Sequence, residues 1–140
     1  MKIDDLLKRL EDVKTNEKRV MKSLKQMFKY AKKKGGETTF CIHVVESYLE
    51  YNPDHPQYET IKVTLYAKDN VIYRAVIEQE GYPVNKIYMD YAGIIHEKVD
   101  EYGISQQVVN GYSSVEDYLK FLLPEPDASL FGEKIELCEQ

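Results

Sequence analysis

A run of apolar residues spaced alternately by three and four positions constrains this sequence most strongly. The run extends from Ile3 to Ala31 without Pro or Gly, and Gly35-Gly36 closes it. Such spacing is typical of the a/d stripe of an amphipathic helix. It predicts a long N-terminal helix over residues 3–34. The stripe that we expect to mediate oligomerisation consists of Leu6, Leu10, Val13, Val20, Leu24 and Met27.

Two arrangements of this N-terminal segment fit the pattern. A continuous helix over 32 residues would be about 48 Å long, which exceeds the width of a small domain. Its stripe then needs a covering surface, which is a second copy in a coiled-coil homodimer, a partner protein or the sheet. Alternatively, Asn16 caps a second helix that begins at Glu17, and the segment is a helical hairpin.

The middle of the chain alternates apolar and polar residues with a period of two, which is typical of β-strands. Strands are predicted at Phe40–Val45, at Ile61–Tyr66 and at Val71–Glu78. Lys68-Asp69-Asn70 predicts a tight hairpin turn, because Asp and Asn tolerate positive φ. These strands are expected to form a three-stranded antiparallel meander.

Helical spacing returns in the second half of the chain. Apolar residues from Ile87 to Tyr102 predict a second helix, and a capping box at Ser113 predicts a third helix that ends before Pro124. Further strands are predicted at 104–109 and 134–138. The expected fold is α+β: a long N-terminal amphipathic helix, an antiparallel sheet of three to five strands, and two further helices packed on the sheet.

The charge distribution divides the chain into two predicted parts. Residues 1–34 carry 12 Lys/Arg and 5 Asp/Glu, a net charge of +7. Residues 35–140 carry the other 7 Lys/Arg and 19 Asp/Glu, a net charge of −12. We therefore expect a basic helical segment over 1–34 and an acidic α+β domain over 35–140. Such asymmetry indicates an electrostatic partner.

Lysines follow the side of the N-terminal segment that lies opposite the apolar stripe. Their spacing by four and three places them on one helix face, where they can neutralise nucleic-acid phosphates without reading base sequence. A solvated polar face is the plainer interpretation. The predicted basic binding face consists of Lys18, Arg19, Lys22, Lys25, Lys29, Lys32 and Lys33.

Tyrosine is abundant, with 12 residues, while Trp is absent. Tyrosine gives rigid contact area with a polar tip and is enriched at interfaces. Together with many carboxylates, it predicts a surface that docks into a basic cleft of a protein partner, although the tyrosines of an ordinary core explain the count equally well. The predicted acidic surface consists of Tyr48, Tyr51, Tyr58, Tyr66, Asp90, Glu97, Asp100 and Glu101.

Motifs for catalysis are weak. Cys41 and His43 are expected to point to the same face of a strand, which is the outline of a nucleophile and its base without a third group. His96 and Asp100 are four residues apart, and two ligands are too few for a zinc site. The sequence contains no phosphate loop or dinucleotide fingerprint. We therefore predict no enzyme, no metal and no cofactor.

These observations lead to an expected function. The residues Met1–Asp5 lack the apolar core of a signal peptide, no apolar run has the length of a membrane span, and two cysteines do not form a secreted framework, so the predicted location is the cytoplasm. We expect a non-enzymatic regulatory or inhibitory protein whose acidic surface binds a basic protein partner. The alternatives are a nucleic-acid-binding protein that uses the basic helix, as a dimer, and a small hydrolase or metal enzyme that uses Cys41, His43 or His96.

Overall fold

The structure of the protein is a computed structural model that describes residues 20–45, 58–126 and 134–138. Within these ranges the chain forms eight strands and two helices. In chain order they are β1 (Val20–Met21), α1 (Leu24–Lys34), β2 (Gly36–Val45), β3 (Tyr58–Lys68), β4 (Val71–Glu78), β5 (Val84–Asp90), β6 (Gly93–Asp100), β7 (Gly103–Val109), α2 (Val115–Leu122) and β8 (Lys134–Leu137).

All eight strands belong to one antiparallel sheet with the order β1-β8-β2-β3-β4-β5-β6-β7. Strands β2 to β7 form a meander, in which each strand pairs with the next along the chain. Strand β8, which follows α2 in the sequence, pairs with β2 on one side and with β1 on the other. The sheet therefore brings the last described residues next to the first.

The sequence predicted the β2–β4 meander and the strands that correspond to β7 and β8. Asp69 and Asn70 have φ values of 53° and 62°, so both turn residues adopt the left-handed conformation of a two-residue hairpin. The register shifts between Tyr66 and Ala67. Strict alternation would place Tyr73 on the same face as Ala75, but this β-bulge places Ile72 in the core and leaves Tyr73 exposed.

Both helices contribute to one hydrophobic core on the same face of the sheet. α1 lies over β2, β3 and β4, and α2 lies over β4 and β5. Leu24, Met27, Phe28 and Ala31 are the buried residues of α1. The largest fully buried side chains of the core are Phe28, Phe40, Met27, Ile42, Leu65, Ile87, Leu119, Ile135, Val63 and Val115.

The predicted long N-terminal helix is wrong for the described residues. Ser23 caps α1 at its N-terminus, and Val20–Met21 before it is a strand. The coiled coil is wrong as well, because Leu24 and Met27 are buried against the chain's own sheet. Val20 continues the spacing in the sequence, but in the structure it is an exposed residue of β1 that pairs with Glu136 of β8. Leu6, Leu10 and Val13 lie outside the described residues. Asn16 and Glu17, at which the alternative helical hairpin would turn, lie outside them as well.

The predicted second helix is also wrong, and the correct structure there is the β5–β6 hairpin. Tyr91-Ala92 forms its turn, and Gly93 follows with a φ of 119°. Ile87 and Ile94 fall on helical spacing, but β-branched residues favour a pleated surface equally well. The helix predicted after Ser113 is present as α2, although Ser114 is its N-cap.

The fold is therefore not the expected α+β arrangement with a sheet of three to five strands. It is a mostly-β fold, in which an eight-stranded sheet carries two short helices. No helix in the described part of the chain is long and apolar enough to cross a membrane. Residues 20–34 share a hydrophobic core with the sheet.

The position of α1 predicts how the chain responds to truncation of the apolar stripe. We expect Met27→Ala to lower the free energy of unfolding by about 2–5 kcal/mol, because it leaves a cavity between α1 and the sheet. Chemical denaturation at several protein concentrations measures this. The exposed neighbour Lys25→Ala is the control and should change stability little. A loss that depends on protein concentration would indicate that Met27 packs against a second chain instead.

Candidate functional site

Local sequence signals determine where α1 begins and ends. The Ser23 hydroxyl accepts a hydrogen bond from the backbone N–H of Gln26 at 3.2 Å, which satisfies one free donor of the first turn. The Gly35 N–H donates to the Ala31 carbonyl at 2.9 Å and closes the last turn. Lys32–Lys34 occupy this last turn, where positive charge interacts favourably with the helix dipole.

Burial of one side of α1 turns a dense group of lysines toward solvent. Residues 20–34 contain six lysines and no Asp or Glu. Lys32 is half-buried and bonds the Glu116 carboxylate at 2.9 Å. The other five lysines are exposed, and none of them has a carboxylate partner among the described residues. We call these the lysine face: Lys22, Lys25, Lys29, Lys33 and Lys34.

A basic cleft separates α1 from α2. It has a volume of about 420 Å³ and is lined by residues of both helices and by Glu125. Its two carboxylates already have partners: Glu116 bonds Lys32 and Lys120, and Glu125 accepts from the backbone N–H of Leu24. Four lysines against two glutamates leave a net positive cleft. The lysines are Lys25, Lys29, Lys32 and Lys120.

A second groove lies on the other side of the lysine face, between α1 and β1. Its volume is about 480 Å³. Val20 and Tyr30 give it apolar walls, while Lys29, Lys33 and Lys34 lie at its rim. Lys29 therefore stands between the two depressions and contributes to both. A chain of anionic groups that follows α1 would meet lysine at each step.

Most of the predicted basic face lies on one element. Lys22 precedes α1, and Lys25, Lys29 and Lys33 lie along its exposed side, whereas Lys32 turns toward α2. Lys18 and Arg19 lie outside the described residues. Lys34 and Lys120 were not predicted as site residues. Lys120 belongs to α2, and only the packing of two helices that are distant in sequence brings it to the cleft.

The predicted acidic surface is spread over several parts of the molecule. Asp90 ends β5 at one end of the sheet, whereas Asp100 and Glu101 lie at the β6–β7 turn at the opposite end. Tyr66 and Glu97 lie on the sheet face opposite the helices, as shown by their cross-strand partners. Tyr48 and Tyr51 lie outside the described residues, as does the side chain of Tyr58.

One end of the sheet does combine carboxylates with exposed tyrosines. Tyr82 follows β4 and Tyr102 follows β6, with exposed fractions of 60% and 90%. Glu80 and Glu101 are exposed beside them. The Asp100 carboxylate stabilises the β6–β7 turn, because it accepts from the backbone N–H groups of Tyr102 and Gly103 at 2.8 and 3.1 Å. We call Glu80, Tyr82, Asp100, Glu101 and Tyr102 the acidic end.

Cys41 and His43 point to the same face of β2, but their partners are structural. Cys41 forms a disulfide with Cys138, with a Cα–Cα distance of 5.6 Å. The Nε2–H group of His43 donates to the Glu136 carboxylate, and its Nδ1 shares a hydrogen bond with the Thr60 hydroxyl, both at 2.9 Å. Both pairings tie β8 to the β2–β3 hairpin. In this structure the Cys41 sulfur is therefore bonded and is not a nucleophile.

His96 lies in β6 and is 9% exposed. The Asn85 amide donates to the Pro83 carbonyl at 3.1 Å, so its oxygen accepts from His96 Nε2–H at 2.7 Å. His96 Nδ1 then accepts from the Tyr118 hydroxyl at 2.6 Å. Burial, and secondarily the charge of Lys98, lowers the pKa of His96. The neutral ring therefore fits its two partners without a ligand.

The metal pairing considered for His96 does not fit this geometry. Asp100 follows His96 by four residues in a strand, where that separation corresponds to about 13 Å. The described residues contain no group of three or more His, Cys, Asp or Glu arranged to hold a metal ion.

Tyr118, whose hydroxyl donates to His96, is buried as well. Burial raises the pKa of Tyr118, with a further contribution from Tyr112.

Comparison with known proteins found no family model, no curated protein and no solved structure that matches this chain.

The lowered pKa of His96 predicts a pH dependence of stability. The unfolded chain binds a proton at the ordinary histidine pKa of 6.5, whereas the folded chain binds it only at lower pH. The free energy of unfolding should therefore fall as the pH decreases below 6.5, down to the folded-state pKa. Urea denaturation at a series of pH values measures the slope. In His96→Gln this slope should be smaller, and an unchanged slope would show that His96 is not its source.

The disulfide predicts a redox dependence of stability. It closes a loop of 97 residues and holds β8 in the sheet. Reduction with excess dithiol should lower the free energy of unfolding by about 2–5 kcal/mol. Cys138→Ser should have this lower stability with or without the dithiol. Equal stability of the oxidised and reduced wild type would contradict the expectation.

Proposed function

We propose that the protein is a non-enzymatic binding protein that contacts the phosphate backbone of nucleic acid through the lysine face of α1. The observation that carries this proposal is the local excess of charge: five exposed lysines on and before one short helix, without a carboxylate partner in the described residues. A lysine at each turn matches a ligand with regularly repeated negative charge. The basic cleft extends the contact to Lys120.

The net charge of −5 does not argue against this proposal, because binding depends on the local field. The two glutamates of the basic cleft have partners of their own, and the carboxylates of the acidic end lie in the β4–β5 and β6–β7 turns. They repel a polyanion that approaches from that side and favour the orientation in which α1 leads. The protein thus orients its ligand as well as attracting it.

The chemistry of the lysine face predicts little base specificity. Lysine ammonium groups bind phosphates as point charges, whereas base recognition relies on bidentate Arg, Asn or Gln. Residues 20–34 contain one such group, Gln26, and its side chain already accepts from the Lys22 backbone N–H at 2.8 Å. We therefore propose sequence-independent binding.

We place this activity in the cytoplasm, as the sequence predicted. Thiol-reducing systems there keep most protein cysteines reduced. Under those conditions Cys41 and Cys138 would be neighbouring thiols, and β8 would be held by its backbone pairing with β2 and by Ile135 in the core. This pairing and the burial of Ile135 would keep β8 in the sheet at the lower stability that we expect for the reduced chain.

The acidic end supports a second candidate function, namely docking on a basic protein surface. Tyr82 and Tyr102 are large side chains at hairpin turns and have few contacts of their own, and such residues are common in interface cores. Glu80 and Glu101 would provide charge complementarity to a basic cleft. This is the regulatory or inhibitory function expected from the sequence, with the acidic end as the docking surface.

Charge reversal on the lysine face tests the first proposal. We expect the variant Lys25→Glu/Lys29→Glu to lose binding to duplex and single-stranded nucleic acid in gel-shift and fluorescence-anisotropy titrations. For wild type, contact with about four phosphates predicts a slope near −3.6 for log K against log salt with a duplex. The variant should bind too weakly for a slope to be measured.

The matched control is Lys62→Glu/Lys68→Glu, which makes the same change in net charge at exposed lysines of β3. It should retain binding to within a few-fold. Equal loss in both variants would mean that only total charge matters, and absence of wild-type binding at low salt would remove the proposal.

The second candidate function predicts that a different pair of substitutions abolishes binding. A protein captured from the native cell by wild type and identified by mass spectrometry should be lost with Tyr82→Ala/Tyr102→Ala. It should be retained with Lys25→Glu/Lys29→Glu. The reverse pattern would show that the acidic end is not the docking surface.

A further inference from the structure

Strand β7 is an unprotected edge of the sheet. It ends the strand order, and no other strand in the described ranges pairs with its outer side. Its sequence, Gly-Ile-Ser-Gln-Gln-Val-Val, has seven residues and contains no charge and no Pro. Natural sheets usually protect an edge with charged residues, Pro, a bulge or a very short strand. The opposite edge follows that rule, because β1 has only two residues.

The exposed side chains of β7 are apolar at two symmetric positions. Ile104 and Val108 are 68% and 43% exposed, and they lie on the sheet face opposite the helices. Gln106 lies between them on the same face. Its amide group donates to the Glu97 carboxylate at 2.8 Å and to the Tyr88 hydroxyl at 3.2 Å, which holds it against the sheet.

We infer that β7 pairs with β7 of a second copy of this chain, antiparallel about a two-fold axis at Gln106, so that the two sheets become one. Directly opposed residues share a face in an antiparallel pair, so a two-fold axis perpendicular to the sheet must pass through a residue position. An axis at Gln106 is the one that opposes all seven residues of β7 to the seven of its copy.

The sequence of β7 is self-complementary in this register. Ile104 meets Val108 of the copy on one face, and Ser105 meets Gln107 on the other. An axis at Ser105 or at Gln107 instead opposes one of the two apolar residues to Gln106 and leaves the other beyond the strand. The charged residues that flank β7 are compatible too, because Glu101 falls opposite Gly111 and not opposite another carboxylate.

The self-complementary sequence makes a second copy the occupant, and the charges are compatible with it. Because β7 carries no charge, two chains that each have a net charge of −5 can meet there without opposing like charges within the strand. The lysine face takes no part, and Glu101 and Tyr102 of the acidic end precede β7 and lie outside the paired residues. The contact is small compared with the roughly 1,200 Å² of a stable interface, so the dimer should dissociate on dilution.

Sedimentation equilibrium over a wide concentration range tests whether the dimer exists. We expect the mass of the wild type to rise toward twice the monomer mass of 16.4 kDa. Val108→Lys should remain a monomer and keep the cooperative unfolding of a folded chain, because a charge opposes pairing at a strand edge and the Val108 side chain is already 43% exposed. The matched control is Val71→Lys, an exposed apolar residue of the interior strand β4, which should dimerise like the wild type.

Cysteine crosslinking tests the register. In Gln106→Cys the two introduced residues face each other across the axis, at a Cα separation that a disulfide spans. In Ser105→Cys each faces Gln107 of the copy, and the two cysteines are about 8 Å apart, beyond disulfide reach. Peptide mass spectrometry after mild oxidation should show at least about tenfold more 106–106 than 105–105 crosslink.

Three results would overturn the inference. A wild type that stays monomeric at all concentrations removes the dimer. A dimer that Val108→Lys leaves intact, or a 105–105 crosslink as abundant as the 106–106 crosslink, removes β7 pairing. None of these results bears on nucleic-acid binding, which the lysine variants test separately.

Discussion

The packing of one side of α1 on strands β2 to β4 is the interaction on which the rest of the structure depends. Leu24, Met27, Phe28 and Ala31 are withdrawn from water, and burying such side chains stabilises a fold by about 1.5–3 kcal/mol for each large residue. Because the helix is short and rigid, burial of one side forces the other side to face solvent. The lysine face is thus a consequence of core packing.

The same packing links the helices and the sheet edges. α1 brings Lys32 to Glu116 of α2, and Glu125 reaches back to the first turn of α1. β8 then enters between β1 and β2, where Ile135 fills the core below α1. The short β1 closes that edge, whereas β7 remains open at the other. The molecule therefore has a closed, basic side at α1 and an open, neutral edge.

Sequence patterns predicted the structure well where local chemistry determines it. The β3–β4 hairpin follows from Asp69-Asn70, and α2 follows from the serine cap and Pro124, both of which act within a few residues. The patterns failed where two structures share a spacing. Residues 87–102 fit a helix and a hairpin equally, and only pairing with β4 and β7 favours strands. The apolar spacing likewise continues through Val20, so the sequence did not indicate that Ser23 caps the N-terminus of α1.

The candidate site was predicted only in part for a similar reason. The lysines of α1 are visible as a periodic stripe, but Lys120, the cleft and the partners of Glu116 depend on the contact of two helices that are 80 residues apart in sequence. The neighbouring positions of Cys41 and Cys138 depend on the return of β8. Pairwise contacts of this kind have no signature in a single sequence.

Nuclear magnetic resonance titration with a short duplex reports contact residue by residue and therefore distinguishes the lysine face from the acidic end. If α1 binds the phosphate backbone, the largest amide and side-chain shifts fall on residues 22–34 and on Lys120, and they decrease as salt is added. Shifts confined to the turns that carry Tyr82 and Tyr102, or an unperturbed spectrum at low salt, would contradict this proposal.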